Sequence, residues 1–121
     1  MKKRTTIRLY GFKGCEMVRN AMKWLDANGV VYEFFDYRRD KLDAKVIDNW
    51  FVRAGWERVF NRKSTTFREL PEIEKSGITP MRALQMILAE TNLIKRPILD
   101  TGSELLLGFK ADVWAETIVD S

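Results

Sequence analysis

The alternation of segment types over residues 5 to 37 constrains this chain more than any other feature. TTIRLY, residues 5 to 10, alternates as a strand does, and GFKG after it supplies turn glycines. In EMVRNAMKWLDANG the apolar positions Val18, Met22 and Leu25, with Ala21 alongside, share one helical face. Gly29 after Asn28 is placed to stop that helix. VVYEFFDY, residues 30 to 37, is rich in β-branched and aromatic residues and predicts a second strand. Strand, helix and strand at this spacing form a βαβ unit with parallel strands and a right-handed crossover.

The middle of the chain changes character. DAKVIDNWFVRA, residues 43 to 54, carries Val46, Ile47, Trp50 and Phe51 at helical spacing, after Leu42, with Asp43 as N-cap and Gly55 as the stop. NRKSTTFRELPE is polar and turn-rich, with at most a short helix around Phe67 to Leu70. Thr79-Pro80 resembles an N-cap with proline at the first helical position, opening a helix through MRALQMILAE. RPILDTGSELLLGF then predicts two strands, Ile98 to Asp100 and Glu104 to Leu107, joined by a Thr101-Gly102-Ser103 turn. ADVWAETIVDS reads as a closing helix with Val113, Trp114 and Ile118 inward. The order is βαβ, a helical insert at about residues 40 to 92, then ββα. At 121 residues the whole is expected to be a single domain.

Composition narrows the chemistry. Cys15 is the only cysteine and histidine is absent, so intramolecular disulfides, thiolate zinc sites and Cys-His or Ser-His-Asp catalysis are excluded. No metal is expected. The formal charge of +4 permits an anionic ligand, but 21 basic residues are interspersed with 17 acidic ones and no basic block interleaves with aromatics. Nucleic acid is therefore not the expected partner. No apolar run reaches transmembrane or secretory length, which points to the cytoplasm and away from membranes.

Cys15 falls where the first strand gives way to the first helix. Free backbone N–H groups and the positive end of the helix dipole favour a thiolate there. Lys13 and Arg19 add positive charge nearby and Glu16 opposes it. An inert, buried cysteine is the competing reading, but the loop GFKG keeps the site polar and open. A dithiol C-x-x-C site would need cysteine at Val18, so any redox cycle must borrow its second thiol. A phosphatase-type loop needs arginine six residues after the nucleophile, where this chain has Ala21.

Arginine is the remaining chemistry, suited to bidentate recognition of an oxyanion or of a glutathione carboxylate. Arg58, Arg62, Arg68 and Arg96 are the candidates. Arg96 precedes Pro97 at the entry to the third strand, which should lie beside the first and face its carboxyl end. A cis Arg96–Pro97 bond would set backbone polar groups against the sulfur. Trp24, Trp50, Trp56 and Trp114 fall on apolar faces or helix ends and are read as packing residues.

YGFKGCEMVRNAMKWLDANGVVYEFFDYR, FNRKSTTFREL, IKRPIL and LLLGFKADVW together resemble the arsenate reductase (ArsC) family, in particular its YffB-like branch, which is related to Spx regulators. The resemblance implies an α/β, thioredoxin-like fold of glutaredoxin type, a four-stranded mixed sheet in βαβ-ββα order with a helical insert. It implies Cys15 as catalytic nucleophile, Arg96 as oxyanion ligand, and Arg58 or Arg62 as the arginine from the insert. With Lys13, Gly14, Pro97 and Lys110 these make the expected substrate-binding set. Two family positions differ: Gly11 stands where a histidine precedes the cysteine by four residues, and Lys110 is the charge near the place of a third arginine.

The activity implied is reduction of arsenate or of a thiol/disulfide substrate. No tightly bound cofactor is expected; glutathione is the co-substrate, with glutaredoxin as a partner. The alternative implied by the Spx relation is a non-enzymatic regulator that binds RNA polymerase.

Overall fold

The structure is a computed structural model that describes residues 6–119. Thr5 of the expected first strand and Asp120 and Ser121 of the expected last helix lie outside the described residues. Two compact units divide the chain, one drawn from Met1–Asp40 with Arg96–Ser121 and the other from Lys41–Lys95.

The first unit is built on β1 (Arg8–Gly11), α1 (Glu16–Ala27) and β2 (Glu33–Asp36), then, after the second unit, β3 (Ile98–Asp100), β4 (Leu105–Leu107) and α7 (Ala111–Val119). The sheet order is β2-β1-β3-β4, with β1 parallel to β2 and antiparallel to β3, and β4 antiparallel to β3. A parallel pair closed by an antiparallel hairpin in βαβ-ββα order is the thioredoxin-like arrangement expected from sequence. Register is pinned on the β1–β2 pair by Arg8 opposite Glu33, whose side chains meet at 3.2 Å.

Leu9, Val18, Ala21, Leu25, Leu99 and Trp114 form the buried core between sheet and helices. The amphipathic face read from α1 is thus the face that packs. Its C-terminus closes as a Schellman motif: Gly29, at φ 68, donates to Asp26 O and Val30 to Leu25 O. Leu25 and Val30 then meet in the same core cluster.

Several boundaries move. β1 begins at Arg8 and β2 at Glu33, because Val30 is taken up by the helix stop and Val31 is exposed. Glu104 is not in β4; its N–H and C=O both bond Thr101, in the turn. On α7, Trp114 is buried and Ile118 packs on the core, but Val113 is 41% exposed and does not point inward.

The second unit contains α2 (Ala44–Ala54), α3 (Trp56–Val59), α4 (Thr65–Arg68), α5 (Glu72–Lys75), α6 (Pro80–Ala89) and a 3-10 turn at Thr91–Leu93. The caps are those the sequence predicts: Asp43 accepts from Lys45 N and Thr79 from Arg82 N. The short helix expected at Phe67 to Leu70 lies instead at Thr65–Arg68, because Ser64 Oγ accepts from Phe67 N and starts it earlier. Phe60 bridges to Ile94, and Lys95 N donates to Val59 O, so the unit's exit is tied to its own interior.

Candidate active site

The parallel β1–β2 pair delivers two chain ends to one edge of the sheet, and α1 begins at that edge. Beyond the last paired residues, Gly11 and Asp36, the ladder continues once more, Tyr37 N donating to Gly11 O at 3.0 Å. Phe12 and Tyr37 leave the sheet together, with ring centroids 6.0 Å apart in an edge contact.

The loop between Phe12 and Cys15 is fixed by its own backbone and by two side chains. Cys15 N donates to Phe12 O at 3.1 Å, and Lys13 N donates to Asp36 Oδ2. Arg19 reaches back from α1 to donate to Lys13 O at 3.1 Å. Asp36 Oδ1 also accepts from Arg38 N at 2.9 Å, so one carboxylate orders the exits of both strands. Cys15 is the N-cap of α1, extended at φ −85 and ψ 123, and its side chain makes no capping bond. Its thiol is free and half-buried, and the residue packs against the core. One side is thus apolar packing, as in the competing reading, while the other meets solvent.

Two guanidiniums gather on Phe12. Arg38 lies 3.5 Å from the ring centroid and Arg96 5.1 Å. Arg96 arrives there because β3 runs antiparallel to β1: Tyr10 pairs with Ile98, which carries Pro97 and Arg96 along Gly11 and Phe12. Pro97 is buried, its peptide to Arg96 is cis, and its carbonyl accepts from Gly108 N at 2.8 Å.

Tyr37 is the most unusual member. The residue is 4% exposed, and its Oη is buried without a hydrogen bond of good geometry. Burial pushes its pKa up to about 12; the Arg96 guanidinium pulls down, by its charge and by its approach to the oxygen as a donor, the Cys15 charge adds to the rise, and Arg38 pulls down more weakly. The charges felt at this hydroxyl are therefore those of the nucleophile candidate and the two Phe12-bound arginines.

Among the expected site residues, Cys15, Arg96 and Pro97 come together with Phe12, Tyr37 and Arg38. Lys13 and Gly14 are exposed in the loop before Cys15, and Lys13 contributes backbone bonds. Lys110 is exposed before α7, its carbonyl accepting from Trp114 N. Arg58 and Arg62 are exposed in the second unit, where Arg62 pairs with Glu57 at 3.8 Å and lies 5.5 Å from the Trp56 ring. Arg68 is exposed at the end of α4.

Gly11 has a steric reason. A Cβ there would stand 2.5 Å from Val18 Cγ2, inside the core, so this chain has no room for a histidine at that position. Phe12, Tyr37 and Arg38 were not singled out by the sequence reading. The available signal was the βαβ unit itself, since ligands collect outside the carboxyl ends of parallel strands and these residues directly follow them.

Comparison with known proteins agrees with this fold. The ArsC family profile matches residues 10–117. The solved structure of the YFFB protein superposes with a TM-score of 0.87 at 40% identity, covering 92% of this chain and 97% of that one. An arsenate reductase (ArsC) related protein from Brucella melitensis gives 0.76 at 33% identity over 100% of both chains. A protein of Haemophilus influenzae is 36% identical over 103 residues, 85% of this chain and 90% of its own.

Proposed function

The chain belongs to the ArsC family, and we propose that it is a cytoplasmic monothiol reductase that uses Cys15 as nucleophile and glutathione, directly or through glutaredoxin, as reductant. The observation that supports this reading is the half-exposed Cys15 at the start of α1, on the loop whose Phe12 carries Arg38 and Arg96. A helix N-terminus and two guanidiniums together favour an anion at the sulfur. The relation to a Brucella protein described as arsenate reductase related makes arsenate the first substrate to consider.

The chemistry balances without a second protein thiol. The Cys15 thiolate attacks arsenic(V); an As–S bond forms as an As–O bond breaks, the oxygen leaving as water with two protons. A glutathione thiolate attacks the Cys15 sulfur, the S–S bond forms, and the As–S electron pair passes to arsenic, which departs as arsenite. A second glutathione thiolate attacks the glutathione sulfur of the mixed disulfide, releasing Cys15 and glutathione disulfide. A glutathione-bearing disulfide substrate enters at the same sulfur and needs only that last exchange.

In this scheme Arg96 and Arg38 hold the anion, and Lys13 and Gly14 form the loop beside it. Lys110 is proposed as a further anion ligand, with Pro97 positioning Arg96. The test is glutathione-dependent turnover of arsenate and of a glutathionylated thiol. Cys15→Ser should reduce turnover of whichever is a substrate to background; a variant that keeps wild-type turnover would remove Cys15 from the reaction.

A further inference from the structure

The peptides that lead into Cys15 are held from two sides. Lys13 N donates to Asp36 Oδ2 at 3.3 Å, and the Lys13 carbonyl accepts from the Arg19 guanidinium at 3.1 Å. Cys15 N then closes the loop on Phe12 O. Every peptide link from Phe12 to Cys15 thus carries a hydrogen bond. With glycine at position 14 the loop would otherwise sample many conformations, and these bonds select one. The anchors lie on different elements, Asp36 at the end of β2, paired with Gly11, and Arg19 in α1. The other carboxylate oxygen of Asp36 accepts from Arg38 N at 2.9 Å, so the same side chain also holds the segment that follows β2. As a charge, a carboxylate beside the nucleophile's loop works against a thiolate. As an acceptor, it binds two backbone N–H groups by charge-assisted bonds, stronger than neutral ones. What Asp36 offers the site is therefore geometry.

We infer that Asp36 is a positioning residue for the reaction at Cys15: by gripping the Lys13 N–H it fixes the loop that aims the sulfur. The inference rests on the thiol-reductase reading for its reaction, and it concerns how the sulfur is held rather than what it binds. In exchange with glutathione disulfide, the Cys15 thiolate attacks one sulfur, a new S–S bond forms as the old one breaks, and a glutathione thiolate leaves with the electron pair. The attack runs along the axis of the breaking bond, and a displacement of about 1 Å can cost on the order of 100-fold in rate. Arg19 still holds the Lys13 carbonyl when Asp36 is removed, so the loop loosens without being lost.

The test is the pH profile of Cys15 exchange with glutathione disulfide, read at its alkaline plateau where the thiol is fully ionised. Asp36→Ala should lower the plateau rate by about tenfold, and Asp36→Asn, which keeps one carbonyl acceptor, by less. Loss of charge alone would do the opposite, since removing a negative group favours the thiolate and speeds exchange near neutral pH. Iodoacetamide, which needs only an exposed thiolate, should alkylate Cys15 in Asp36→Ala at a plateau rate within about twofold of wild type. The Cys15 amide, bonded to Phe12 O and not to Asp36, should exchange with solvent about tenfold faster in Asp36→Ala, while that of Leu25 in α1 is unchanged. A wild-type disulfide plateau in Asp36→Ala, an equal fall with both reagents, or an unchanged Cys15 amide would each overturn the inference. Failure of the reductase reading is separately visible: a wild type that does not exchange with glutathione disulfide, beside a Cys15 amide freed by Asp36→Ala, supports the hold on the loop and removes the reaction.

Discussion

At the scale of single residues, Tyr37 connects the site to the stability of the fold. Its folded pKa, about 12, is above the ordinary tyrosine value near 10. Stability from keeping the phenol neutral is therefore fully present below about pH 10 and is lost as pH rises through about 12. Urea unfolding across that window should show a loss of roughly 2 to 3 kcal/mol that Tyr37→Phe abolishes. Tyr32, raised in the same direction by burial and then by Asp26, leaves a smaller slope in the variant. A variant whose alkaline slope matches the wild type would contradict the placement of Tyr37. In sequence, Tyr37 was the last residue of an aromatic strand and nothing in VVYEFFDY distinguished it. Its position depends on register, which pairs Gly11 with Asp36 and leaves Tyr37 just beyond the last pair. The place of Cys15 was legible because a strand-to-helix junction is a local feature. The place of Arg96 was legible for a related reason: the dipeptide Arg96-Pro97 marks the entry to β3.

At the scale of elements, capping chemistry was the most readable feature and short helices the least. Asp43 and Thr79 were identified from residue type alone and both accept the expected N–H. Thr79→Ala should cost about 1 kcal/mol in urea unfolding, the usual worth of a lost threonine cap. An unchanged midpoint would show that Pro80 at the first helical position suffices to start α6. By contrast α3, four residues long, offers a single turn and no periodicity to detect. Val113 was misassigned because one apolar position on a nine-residue helix fits several faces, and the sheet selects that of Trp114. The strand ends shifted for a different reason. Val30 and Val31 have strand propensity, but the hydrogen bonds of the α1 stop claim Val30 first.

At the scale of the molecule, the sheet topology followed from the order of elements, because βαβ and hairpin connections each allow essentially one arrangement. The proposed chemistry follows from what the chain lacks: with no histidine and one cysteine, a thiol cycle of the kind proposed takes its second thiol from another molecule. The family match over residues 10–117 extends across both units, so the helical insert belongs to the same inherited plan as the sheet. Among the described residues no helix is long and apolar enough to cross a membrane. The central claim is that Cys15 is a nucleophile resolved by an external thiol, and intact-protein mass spectrometry after exposure to glutathione disulfide tests it most directly. The account predicts one glutathionyl adduct, located on Cys15 and removed when reduced glutathione is added. A native protein that takes up no adduct, or an adduct that reduced glutathione does not release, would contradict it.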